Sequence, residues 1–433
     1  MLRNPNSRKS TAMLDYIMRM RSRRIDRRDV GYNRLVNPPP AGEQADLLHL
    51  PLLGRGLAGL MVSGILFGFL GAILPAWGYH LSSDYSTVGD YFLGMAAGII
   101  ISTKLAGRLL ARRGVGFLLI SACILACLAL IYLALLPPPV HPLQRTCGLV
   151  VLGLAAGFLN TAVFYTISPA YERDRAATVN FGGLAFSLGC VAISALVAGT
   201  FYASSVQSIL FIIAAIPALF AVWYARRPIA QPKLPPEPTL GRVFHDFRST
   251  GAILLAALLF FQFANAWSIA GWLPIFLIHR LGISPKTSLL ILTMYWLALL
   301  LGRLAAVGLL PRMRHGRLLA ISAVLALFGC VLLLETNNVF GASMGTLFVG
   351  CGFASIYPLV AERIGSEFPD YRPGFFNGIF SVALAGGMLA PGTLGYLADN
   401  WGVGIVMLIP VLGTCMVFVL VLLIWLEAKL RLG

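Results

Sequence analysis

Apolar stretches of roughly 20 residues recur along almost the whole of this chain, each long enough to cross a hydrocarbon core about 30 Å thick. Short polar turns separate them. Inside a bilayer every backbone N–H and C=O must be bonded within the protein, so segments of this length cross it as α-helices. Only 12% of the 433 residues are charged, against about 25% in an average soluble domain, and the mean hydropathy is +0.82. The fold class implied is an all-α, polytopic membrane protein.

Spans are expected near residues 55–80, 88–111, 114–136, 145–169, 176–203 and 206–226, then near 250–277, 287–311, 316–335, 339–362, 374–398 and 403–425. The chain therefore divides into a basic tail (1–54), six spans (55–226), a hydrophilic proline-bearing linker (227–249), six more spans (250–426) and a short tail (427–433). Alternation of the spans puts 30 of the 33 Lys and Arg on the side of both termini, and only Arg145, Arg280 and Lys286 on the other. That bias is the one expected of cytoplasmic segments, so both termini are expected in the cytoplasm of a bacterial inner membrane. The net charge of +16 is thus an expected match for anionic lipid headgroups, not for nucleic acid.

Residues 10–28 fit a basic helix lying on the bilayer surface as well as a disordered tail. No apolar core follows the first basic residues, which argues against a signal peptide, and Asp15, Asp26 and Asp29 argue against an organellar presequence. The seven cysteines lie in or beside spans without metal-ligand spacing and read as small hydrophobes. A monomer without cofactor or metal is expected.

An internal repeat supports the six-plus-six division. Leu109, Leu110, Arg112, Leu118 and Leu119 recur 200 residues later as Leu309, Leu310, Arg312, Leu318 and Leu319. Arg175, Asn180 and Gly189 recur 197 residues later as Arg372, Asn377 and Gly386. Parallel repeats of this kind are related by an axis along the membrane normal and hold a substrate site between them near mid-depth.

Residues 107–114, Gly-Arg-Leu-Leu-Ala-Arg-Arg-Gly, resemble the cytoplasmic signature loop G-x-x-x-D-R-x-G of the major facilitator superfamily, with Gly107, Arg112 and Gly114 matching. The resemblance spans about 55–425 and implies twelve transmembrane helices in two pseudo-symmetric six-helix bundles. The acidic position of the loop is Ala111 here, so the latch that the family's acid supplies has to come from other contacts. Residues 270–273 (Ala-Gly-Trp-Leu), Trp296 with 301–304 (Leu-Gly-Arg-Leu), and 386–388 (Gly-Gly-Met) with Pro391 and Gly395 are similar to the fucose permease and sodium-dependent glucose transporter-like branch. Many members of that branch carry a glutamate before the Gly-Trp pair, where this chain has Asn265-Ala266-Trp267.

The seventh span carries Gln262, Asn265, Ser268 and Trp272 at spacings that put them on one helical face. Amides near mid-bilayer are too costly to face lipid, so they either bond another helix or face a cavity; we expect the cavity. Asn160 and Tyr165 on the fourth span, Tyr295 and Trp296 on the eighth and Tyr357 on the tenth complete the expected lining. Amides and phenols bond hydroxyls and flat rings cover C–H faces, a combination suited to a sugar or polyol. The central part of every span lacks Asp and Glu, which leaves Asp90, near the outer end of the second span, as the candidate for coupling to H+ or Na+. Lys104, Arg108 and Arg303 are expected to snorkel, anchoring the halves or pairing with loop acids.

A secondary active or facilitative carrier of a small neutral polar solute is the leading expectation, and no catalytic constellation points to an enzyme. An exporter of drugs or amphiphiles is the alternative. Drug–proton antiporters of the superfamily usually carry Gly-Pro in the fifth span, where this chain reads Gly182-Gly183-Leu184-Ala185 without proline.

Overall fold

The structure, a computed structural model, describes residues 42–82, 84–136, 139–173, 175–227, 249–309, 313, 315–367 and 378–430. Residues 48–433 form one compact unit. The expected basic tail up to residue 41, linker residues 228–248, and Leu310, Arg312, Arg372 and Asn377 of the repeat lie outside the described residues.

The described helices are α1 (Gly42–Ile73), α2 (Tyr85–Leu135), α3 (Pro142–Arg173), α4 (Arg175–Thr200), α5 (Val206–Arg226), α6 (Thr250–Leu281), α7 (Pro285–Leu309), α8 (His315–Glu335), α9 (Val339–Glu367), α10 (Gly378–Trp401) and α11 (Ile405–Leu430). α2 contains two of the expected spans. At Gly114 its backbone takes φ 80° and ψ 173°, a combination essentially confined to glycine, and the run breaks there into two arms. Each of the twelve expected spans is thus matched by a helix among the described residues. Ten described stretches are long and apolar enough to cross a membrane; the first arm of α2 and α10 complete the set.

Local chemistry sets the helix ends. Asp84, Ser205 and Ser249 cap α2, α5 and α6, each side-chain oxygen accepting an N–H three residues on at 3.1–3.2 Å. Gly282 ends α6 at φ 64° and donates its N–H to Ile278 O. The first span was expected to reach residue 80, but α1 stops at Ile73. Pro75 has no N–H to extend the ladder, and Gly78 at φ 84° turns the chain.

In the first half α2 packs on α3 and α5; in the second α6 packs on α10 and α11, and α8 on α9 and α11. Contacts of α4 with α7 and α9, and of α2 with α10, join the halves. The internal repeat has a packing meaning. Gly189 of α4 lies against α1 at Met61, and Gly386 of α10 lies against α6 at Phe260; at either glycine a Cβ would collide with the neighbour's carbonyl. Helices in lipid associate by close packing, which small residues permit, so each half uses its repeated glycine for the same approach. All seven cysteines are free thiols. Arg108, Arg112 and Arg317 mark one end of the bundle as the basic end; the opposite one is the far end.

Candidate solute-binding cavity

In the basic half, α1, α3, α4, α6, α7, α9 and α10 enclose a cavity of about 180 Å³. Its wall is largely aromatic, and Trp267 of α6 is the centre of the cluster. The Trp267 ring lies 5.4 Å from Phe67 of α1, 5.9 Å from Phe186 of α4 and 5.9 Å from Trp296 of α7, centroid to centroid. Rings from both halves thus meet on one indole.

Three buried polar atoms on this wall have no protein partner among the described residues: Gln262 Oε1, Trp296 Nε1 and Arg303 Nε. A buried polar group without a hydrogen bond costs on the order of 1–3 kcal/mol, so such groups are rare and call for an explanation. The three residues that carry these atoms border the same space. Arg303 was expected to anchor the halves or pair with a loop acid, and of the two it is the anchor that the structure has in place of the acid. Its Nη1 donates to Gly183 O and, at 3.0 Å, to Ser187 Oγ, both on α4. Gly183 makes that approach possible, since a Cβ there would overlap the guanidinium.

Towards the far end the helices close. A second cavity of about 60 Å³, bordered by Phe92, Met95, Trp267, Met388 and Pro391, separates α1, α2, α6 and α10. Beyond it Gly71 of α1 rests on α6 at Ala270, and Gly89 of α2 on Gly392 and Gly395 of α10. Trp272 Nε1 donates to Pro391 O at 2.8 Å, and Tyr85 of α2 contacts His279 of α6 at 3.5 Å. Tyr79 and Tyr91 share a 2.6 Å hydrogen bond, with the Arg145 guanidinium 4.9 Å above the Trp77 ring.

The expected polar stripe on α6 divides. Gln262 borders the cavity, whereas Asn265 turns into the second half, where its Nδ2 donates to Thr414 Oγ1 of α11 at 3.3 Å. Ser268 is buried away from both cavities, and Trp272 is fully buried against Pro391. Phe263, Ala266 and Trp267 form the rest of the cavity face, rotated from the stripe. In an apolar medium a neighbouring helix satisfies an amide as well as a solute does, which is why spacing alone assigned Asn265 to the wrong side.

Asn160, Trp296 and Tyr357 also border the cavity, while Tyr165 and Tyr295 do not. Tyr295 is buried and donates its hydroxyl to Ala266 O at 3.2 Å, acting behind the lining. Asp90 is exposed and accepts a hydrogen bond from Tyr396 of α10, outside either cavity. Of the signature loop, Gly114 is the break in α2, Gly107 lies within α2's first arm, and Arg112 and Ala111 are exposed. Two residues escaped the pattern reading, Trp267 and Arg303. Their signal was present: a tryptophan at mid-span, and an arginine with no acid within a helical turn.

A profile of the Major Facilitator Superfamily matches residues 56–392, most of the chain. The chain belongs to the Major Facilitator Superfamily. An uncharacterised transporter of this superfamily from Yersinia pestis is 22% identical over 367 residues, 81% of this chain and 92% of the relative. The cis,cis-muconate transport protein of Acinetobacter baylyi is 25% identical over 272 residues, 59% of this chain and 65% of that one. Among solved structures, the E. coli fucose:proton symporter shares the fold, with a TM-score of 0.60 at 14% identity over 87% of this chain and 99% of the symporter. This superfamily member is thus a membrane transporter and not an enzyme.

Proposed function

We propose that this transporter carries a small organic solute bearing both hydrogen-bonding groups and a flat apolar face, and that the cavity in the basic half is where it binds. The observation that carries this reading is the convergence of Gln262, Trp296 and Arg303, each with a buried polar atom that has no protein partner among the described residues, on a cavity centred on Trp267. A sugar or polyol meets both requirements, as its hydroxyls suit Gln262 and Asn160 and its C–H face suits the rings. The amphiphile-export reading is supported by a different feature, the excess of aromatic over polar wall.

In the same reading the basic end is cytoplasmic, with anionic lipid against its Lys and Arg, and solute passes by alternating access from a state closed at the far end. The Asp90–Tyr396 bond joins α2 to α10. An H+ or Na+ acting through Asp90 would therefore act on that contact and not on the solute.

The test is counterflow in proteoliposomes against a panel of sugars, polyols, organic acids and lipophilic cations, in wild type and Trp267→Ala. One class should exchange, and the variant should lose at least about tenfold of that exchange, equivalent to about 1.4 kcal/mol. Exchange unchanged in Trp267→Ala would place the solute elsewhere.

A further inference from the structure

Resting on that cavity reading, we propose that the solute is a carboxylate and that the guanidinium of Arg303 binds it. Arg303 is the one charged residue on the cavity wall among the described residues. A guanidinium does not give up its proton in a protein, so the charge has to be stabilised where it stands. The groups that reach it are a backbone carbonyl at Gly183 and the hydroxyl of Ser187, both dipoles without net charge. No described carboxylate pairs with it, and Asp90, the one intramembrane candidate from the sequence, is bonded to Tyr396.

Charges inside a membrane protein face the bundle interior or a water-filled cavity and pair with one another or with backbone carbonyls; Arg303 has the carbonyl but no described counter-ion. Arg303 has Nη1 engaged on α4 and Nε buried without a partner among the described residues. The Nε–Nη2 edge is the edge of a guanidinium that receives a carboxylate through two parallel N–H···O bonds. Trp296 and Gln262 add a further donor and an amide on the same wall. The rings of Trp267, Phe186 and Phe67 supply a slot for an apolar or unsaturated body. The site thus asks for one charged end and one flat end, and the neutral solute expected from the sequence would leave the cation without its counter-charge. The missing acid on α6 that prompted the expectation of neutrality bears on proton coupling and not on the charge of the cargo.

The test uses the full-length purified protein in detergent and a set of matched pairs, each a carboxylate and its primary amide: benzoate with benzamide, sorbate with sorbamide, gluconate with gluconamide. Fucose and inositol serve as neutral references. Binding is read as a ligand-induced thermal shift, and transport as counterflow. At least one carboxylate is expected to bind ten times or more tighter than its amide. Arg303→Gln should reduce that ratio to near one, and Arg303→Lys should keep part of it, because the charge remains and the fork is lost. If Arg303 merely ties α7 to α4, Arg303→Gln lowers the baseline melting temperature and weakens acid and amide alike, which overturns the proposal. Wild-type protein that binds no carboxylate, or binds acid and amide equally, overturns it without recourse to any variant. A neutral sugar carried with normal sensitivity to Trp267→Ala would overturn the carboxylate and leave the cavity reading standing; a carboxylate carried without sensitivity to Trp267→Ala would do the reverse.

Discussion

Two faces of α6 carry similar polar groups and use them in opposite ways. On the face turned into the second half, Asn265 Nδ2 reaches Thr414 and Trp272 Nε1 reaches the Pro391 carbonyl, so both N–H groups have a partner on another helix. On the cavity face, Gln262 Oε1 bonds to no described group and Trp267 packs tilted or edge-on against rings from α1, α4 and α7. Depth in the bilayer and hydrogen-bonding capacity are much the same for Gln262 and Asn265. What separates a binding group from a packing group is whether the protein already satisfies it. The far end repeats the lesson at larger scale, where the tyrosines pair with one another, with His279 or with Asp90, and Trp272 pairs with backbone.

The largest effect is expected where the far-end contact itself is broken. Gly71→Leu places a side chain against the α6 backbone at Ala270, so α1 and α6 cannot meet there. Counterflow should be abolished, with solute still able to bind to the detergent-solubilised protein; normal exchange would show that this contact is not part of the cycle. Next, Gln262→Ala removes an amide that the fold does not use. Exchange should fall about tenfold, about 1.4 kcal/mol, while urea or thermal stability stays within about 0.5 kcal/mol of wild type. Asn265→Ala should show the mirror image. Loss of the bond to Thr414 is expected to cost about 0.6–1 kcal/mol, with exchange retained within about twofold. The smallest effect belongs to Tyr396→Phe, which deletes the bond to Asp90 at an exposed position. Stability should change by less than about 0.5 kcal/mol, and a change in the ion dependence of uptake would bring Asp90 into the coupling mechanism.

Much of the architecture was legible in the sequence because it is written in periodic, local signals. Span length, turn residues, the serine and aspartate caps and the near-constant repeat offsets each reflect physics that acts within a few residues. Gly189 and Gly386 show how far this extends: a repeat read as letters proved to be the same helix–helix approach in both halves. The site was legible only in part. Gln262, Asn160, Trp296 and Tyr357 border the cavity, yet Asn265, Ser268, Trp272, Tyr165 and Tyr295 do not. Which face of a helix meets a cavity depends on the rotation of that helix against its neighbours, and rotation is a tertiary property. Arg303 ties the two halves together as expected, but its place on the cavity wall was not legible, since a long cationic side chain in the basic third of a span has water within reach, and only the position of α4 turns it inward.

The most direct test of the contrast on α6 is a thermal-shift titration of purified Gln262→Ala and Asn265→Ala with the solute that exchanges in wild type. A ligand at 100 times its Kd stabilises a native state by about 2.7 kcal/mol, well within the reach of the method. Gln262→Ala should melt at the wild-type temperature without ligand and lose most of the ligand-induced rise. Asn265→Ala should melt lower without ligand and keep the rise. A lost rise in Asn265→Ala together with a full one in Gln262→Ala would contradict the assignment of the two faces.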